Sequence, residues 1–144
     1  MKPEEQRIAI AEACGYQWLT GPCHTTTHHF GQYNDSDLAE LKSLNFILGR
    51  HGKAIAIDTY GLNQTPDYPR SFQALRGAEI ALGLHDTDNL ELRVKWINAL
   101  RMVVSRRCPK NNSGSPMVSD IDLLTASEEE RCEALLKTLK LWTS

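Results

Sequence analysis

The stretch YQWLTGPCHTTTHHFGQY, Tyr16–Tyr33, decides the fold class. It mixes aromatics with β-branched threonines and is cut by Gly21-Pro22, and its apolar residues do not recur at helical spacing. Such a run predicts one or two short strands joined by a turn at Gly21-Pro22. The segments around it read mostly as helices, so these strands separate a layered α+β fold from a plain bundle.

On the N-terminal side, Pro3 suits a first helical turn, Glu4 and Glu5 complement its positive end, and Gly15 is the expected stop. On the other side, NDSDLAELKSLNFILGRHG (34–52) repeats Leu38, Leu41, Leu44, Ile47 and Leu48 at helical spacing after a capping Asp35 or Ser36. KAIAIDTYG (53–61) then reads as a short buried strand. A third helix is expected with Thr65 as N-cap and Tyr68, Phe72, Leu75 and Glu79 on successive turns. A fourth carries a stripe of Leu90, Val94, Ile97, Leu100 and Val104, with Arg106 and Arg107 at its negative end. Residues 109–117 form a flexible loop rich in Pro, Gly and Asn. MVSDIDLLT (117–125) reads as a last strand, and Thr125 to Glu128 as the capping box of a closing helix. The expected fold is α+β: a single sandwich-like domain over residues 1–144, with about five helices and a small sheet of short strands.

Composition narrows the function. With 144 residues, 41% of them hydrophobic and 24% charged, the chain is long enough for one core and close to the globular average. A net charge of -2 and a pI near 6.2 argue against bulk nucleic-acid affinity while leaving room for a local anion pocket. No window approaches a membrane span, and the charged start MKPEEQRIAIAEACG lacks a signal peptide's apolar stretch, so a cytoplasmic protein is expected. The scattered cysteines Cys14, Cys23, Cys108 and Cys132 read as free thiols.

The densest chemistry lies in GPCHTTTHHFG, Gly21–Gly31. Cys23, His24, His28 and His29 are residue types that zinc favours. His24 and His28 are four apart, a spacing that serves a metal on a helix; three threonines after Gly-Pro disfavour one. There is no CxxC pair, so the reading preferred over zinc is a polar strand or loop lining a pocket, with no cofactor. GxSxG, HExxH, Walker and GxGxxG motifs are all absent, and Cys23 beside His24 is a poor nucleophile pair because strand neighbours point to opposite faces. Asp120 and Asp122 would share one face of the last strand, and Asp58 would end a buried one; a solvated edge explains them as well as acid–base work does.

Anion recognition is the remaining class. Arg70, Arg76, Arg106, Arg107 and Lys110 stand near helix ends and a loop, and guanidinium forks match phosphate geometry. Trp18, Tyr33, Tyr60 and Tyr68 could stack a base, and His24, Thr26 and His28 could supply neutral hydrogen bonds.

Three pieces of the chain resemble small phage and prophage proteins of the phage α-β-α (ABA) sandwich group, whose role is largely uncharacterised. EEQRIAIAEACGY (4–16) is similar to the group's opening helix, with an aromatic after Ala-Cys-Gly. PDYPRSFQALRGAE (66–79) is similar to its central signature in Pro66, Asp67, Tyr68, Phe72, Ala74, Leu75, Ala78 and Glu79. TASEEERCEALLKTLKLW (125–142) is similar to its closing helix in Thr125-Ala126, Arg131, Glu133-Ala134, Leu136, Thr138-Leu139 and Trp142. Pro69 and Gly77 depart from the signature helix, and residues 17–60 are diverged or enlarged relative to the group.

The matching residues are framework, with Asp67 and Glu79 expected to cap or pair within it. The resemblance implies a non-enzymatic, homo-oligomeric phage protein in the host cytoplasm. It would sequester a small anionic, nucleotide-like immune signal through Trp18, His24, Thr26, His28, Tyr68, Arg70, Arg76, Arg106 and Arg107. Two alternatives stand beside it: a protein–protein inhibitor of a host defence complex, and a metal-dependent phosphodiester-cleaving enzyme built on the histidine cluster.

Overall fold

The computed structural model describes residues 1–20, 28–48 and 65–143, with Thr20, His28 and His29 described by their main chain. The chain is α+β, with six helices and one three-stranded antiparallel sheet among the described residues. It forms two compact units, a sheet unit of Ala11–Pro66 and a helical unit of Met1–Ile10 with Asp67–Ser144.

Helix α1, Pro3–Ala13, begins and ends as its sequence dictates. Gly15, at φ +93°, lets the chain turn sharply, so that Gly15 N–H donates to the Glu12 carbonyl and Tyr16 N–H to that of Ala11. In the sheet unit β1 (Gln17–Thr20) then pairs with β2 (His28–Gly31) and with β3 (Ile47–Leu48), in the order β2-β1-β3. Trp18 lies opposite Phe30, with their rings stacked 4.4 Å apart, and both are buried together with Leu19. The Trp18 indole N–H donates to Glu12 at 2.7 Å. The expected turn at Gly21-Pro22 and the expected strand over 53–61 lie outside the described residues.

Helix α2, Asp35–Ser43, is capped by Asn34 rather than by Asp35 or Ser36: the Asn34 side chain accepts from Asp37 N–H, and Asp37 accepts in return from Asn34 N–H. It also stops short of the predicted end. Asn45 adopts the left-handed conformation at φ 63°, its N–H donates to Lys42 and that of Phe46 to Leu41, and the chain leaves as β3. Ile47 and Leu48, expected on the helix, are therefore strand residues.

In the helical unit α3 spans Phe72–Ala81, with Ser71 as its N-cap instead of Thr65. Tyr68 to Arg70 form the preceding turn, closed by Arg70 N–H on the Asp67 carbonyl, so Pro69 sits before the helix and does not interrupt it. Helix α4, Leu90–Val104, buries Trp96, Leu100, Val103 and Val104. Of the predicted stripe Leu100 and Val104 are buried as expected, Leu90 and Val94 are exposed, and Trp96 and Val103 join the core.

The predicted last strand is a helix. Ser119 and Asp122 form a reciprocal capping box, which starts the short α5, Asp120–Leu124. Thr125 ends that helix, and the capping box of α6, Glu128–Thr138, is Ser127 with Glu130. Between α4 and α5 the loop of residues 109–117 makes a tight return, bridging Lys110 to Pro116, with the Asn111 side chain accepting from Ser113 and Ser115 N–H. Helix α6 packs along α4 and touches α3, burying Cys132, Ala134, Leu135 and Leu136.

Candidate functional site

Two polar constructions occupy the helical unit. One is internal. Glu79 of α3 has a fully buried side chain and accepts three hydrogen bonds from Arg131 of α6, from Nε at 3.2 Å and from Nη2 at 2.8 and 2.7 Å. The Arg131 guanidinium lies 5.2 Å from the ring centres of both Phe72 and Trp96. His85 contacts the other side of Glu79 at 2.9 Å, and Arg76 reaches the His85 ring at 2.9 Å. The carboxylate at the centre of this network is satisfied, while the indole N–H of Trp96 is buried without a hydrogen-bond partner among the described residues. The network engages Arg76, half-exposed, which sequence reasoning offered to a ligand, and Tyr68 is buried.

The other construction is open. A cleft of about 550 Å³ is bounded by the turn before α3, the end of α4, the start of α6 and the first residues of α1. Arg70, Arg106 and Arg107 line it with Glu129, Glu130, Glu133, Ser127 and Trp142, while Pro3, Pro69 and Val103 supply apolar wall. Local folding explains the convergence. Arg106 and Arg107 follow directly on the C-terminal end of α4, whereas Glu130 and Glu133 are three apart and so share one face of α6. As α4 and α6 pack, the charges meet. Arg106 donates end-on to both oxygens of Glu133 at 2.9 and 2.7 Å, and Lys137 reaches the same carboxylate at 2.7 Å. Arg107 donates through Nε to Glu130 at 2.7 Å and through Nη2 to the Asp122 carbonyl at 3.0 Å.

These contacts set the ionisation. The hydrogen bonds from Arg106 to Glu133 and from Arg107 to Glu130 raise both guanidiniums above their ordinary value, so both stay charged. Burial pushes Glu133 upward, but the bonds from Arg106 and Lys137 outweigh it and hold the carboxyl below its usual range. Asp122 is also held low, chiefly by the Ser119 hydroxyl and N–H. Arg70 is different: it is exposed at the cleft, and no hydrogen bond or ion pair engages its side chain among the described residues.

The structure thus brings together Arg70, Arg106 and Arg107 of the expected ligand set. Trp18 belongs to the sheet unit and is engaged with Phe30 and Glu12. Cys23, His24 and Thr26 lie outside the described residues, and the backbones of His28 and His29 pair with Thr20 and Leu19. Among the described residues no cluster of His, Cys, Asp or Glu could hold a metal. Asp120 and Asp122 begin a helix, so they do not share a strand face, and Asp122 is committed to its cap. Asp58 lies outside the described residues. Cys132 is no nucleophile: burial pushes its thiol up to about 12, and it donates to Gln6 at 3.3 Å.

Sequence reasoning missed the carboxylates that face the arginines, and it missed His85. A signal for the core pair was present, because Glu79 falls four residues after buried Leu75 and Arg131 four before buried Leu135. A charge at a core position of each of two helices predicts that the two meet. Among the described residues no helix is long and apolar enough to cross a membrane. No protein family model, curated protein or solved structure matches the chain.

Proposed function

We propose that this chain is a non-enzymatic binding protein of the phage type, which takes up a small anionic, nucleotide-like host signal in the cleft of its helical unit. The observation that carries this reading is the convergence of Arg70, Arg106 and Arg107 on one cleft beside Trp142. A volume near 550 Å³ is in the range of small-molecule sites. Each guanidinium has five N–H donors, and Arg106 spends two of them on Glu133, so the paired arginines retain donors for a ligand. Arg70 supplies an uncommitted positive charge, Trp142 a stacking surface and Ser127 a hydroxyl. Action in the host cytoplasm as a homo-oligomer belongs to the same proposal.

Purified protein is incubated with mono- and cyclic nucleotides, washed, and denatured, and the released material is identified. Intact ligand at a stoichiometric ratio, lost in Arg70→Gln, is the expected result. A chemically changed ligand would mean an enzyme, and absence of uptake refutes both.

A second reading, a protein–protein inhibitor, is favoured by one observation. Met117, Ile121 and Leu124 are 53, 70 and 82% exposed around α5. Co-purification of a host protein, abolished by Ile121→Asp with Leu124→Asp, would select that reading.

A further inference from the structure

We infer that the cleft of the helical unit selects its ligand by charge balance, taking one with a single anionic group and a hydrogen-bond-donating or cationic group, and rejecting polyanions. This inference rests on the nucleotide-binding reading and specifies the ligand class. Six charged side chains line the cleft, three of each sign. Four of them are already joined, Arg106 to Glu133 and Arg107 to Glu130, at hydrogen-bonding distances of 2.7 to 2.9 Å. Each joined pair presents a ligand with a dipole rather than a net charge. Lys137 adds a second cation to Glu133 from the next turn of α6, and Asp122, 3.7 Å from Arg107, adds a second anion to the other pair, so the two groups together stay neutral.

The two remaining charges are Arg70 and Glu129, both exposed and both without an ion-pair partner among the described residues. They decide what enters. A singly charged phosphodiester satisfies Arg70, and an exocyclic amino group of a base offers Glu129 the donor it lacks. A triphosphate brings several negative charges to one uncommitted guanidinium, and the surplus meets Glu129 and the rims of Glu130 and Glu133. Apolar wall at Pro69 and Val103 leaves the base a surface to lie against.

Isothermal titration of the full chain with 3′,5′-cyclic AMP, ATP and adenosine tests this, at low and at physiological salt. Cyclic AMP is expected to bind at least about tenfold more tightly than ATP or adenosine, with a shallow salt dependence. Arg70→Gln should lower cyclic AMP affinity at least about tenfold, and Glu129→Gln should improve ATP relative to cyclic AMP, each with an unchanged circular dichroism spectrum. ATP binding as tightly as cyclic AMP, or adenosine doing so, overturns the charge selection and leaves nucleotide binding standing. Cyclic AMP binding that is indifferent to Arg70→Gln overturns this placement of the site. Failure of all three to bind overturns the nucleotide reading itself.

Discussion

Replacing one partner of the Glu79–Arg131 pair should destabilise the chain more than replacing both. The Glu79 side chain is 0% exposed and that of Arg131 10%, so neither charge can turn to solvent when the other is removed. Glu79→Leu strips three hydrogen bonds from a guanidinium held between Phe72 and Trp96, and Arg131→Met leaves the carboxylate with only His85 at 2.9 Å and the half-exposed Arg76 at 3.9 Å. Either single change should cost about 3–5 kcal/mol, a large share of the ~5–15 kcal/mol that holds a domain together. The double variant replaces two desolvated charges with apolar groups of similar length. It should lie within about 1–2 kcal/mol of the parent, the residue being mostly the lost cation–π contact. In urea titrations with slopes of ~1.5–2 kcal/mol/M, each single variant shifts the midpoint by about 2–3 M and the double by about 1 M or less. Additive losses, with the double as weak as the two singles combined, would refute the reasoning, as would a single variant costing under about 1 kcal/mol.

Two further outcomes follow from local geometry. Gly77 lies inside α3 at an exposed position where an added Cβ would meet nothing within 4 Å, so Gly77→Ala should stabilise by about 0.5–1 kcal/mol and raise Tm by about 2–4 °C in calorimetry; an unchanged or lower Tm would contradict the helix there. Asp122 and Glu133 are held below the ordinary carboxyl range, so each lends stability that is present above its unfolded pKa and is lost as pH falls through its folded one. Urea midpoints should therefore change little from pH 7 to 5 and drop toward pH 3, and in Asp122→Asn with Glu133→Gln they should start lower and drop less.

The parts of the fold that were legible are those where one local rule acts alone. Pro3, Glu4, Glu5 and Gly15 bracket α1 correctly because cap chemistry and helix polarity agree. Where two rules competed, tertiary packing chose. Thr125-x-x-Glu128 and Ser127-x-x-Glu130 both satisfy the capping-box pattern, and the second is used, in the register that buries Arg131 and Leu135. Leu44, Ile47 and Leu48 continue the α2 periodicity, yet Asn45 in the left-handed conformation ends the helix before they can join it. MVSDIDLLT alternates like a strand, but Ser119 and Asp122 satisfy each other's backbone and nucleate a helical turn. Of the cleft, the arginines were legible and the carboxylates opposite them were not, because Glu130 and Glu133 meet them only once α4 and α6 are packed.

A set of side-chain contacts away from the Arg106 and Arg107 pairs holds the helical unit together. Arg7 approaches Asp67 at 4.0 Å, Glu79 binds Arg131, and Cys132 donates to Gln6. These contacts link the opening helix, the turn before α3 and α3 itself to the closing helix, which gives those stretches a folding role. Arg70 makes no side-chain contact of this kind among the described residues, and Arg106 and Arg107 pair instead at the mouth of the cleft. A side chain that the framework does not need, placed at the mouth of a cleft and left without a carboxylate, is free to be tuned to whatever this chain binds. Arg70→Gln should accordingly leave the unfolding free energy from urea titration within about 0.5 kcal/mol of the parent while abolishing uptake, which separates it from Arg131, whose loss costs several times more.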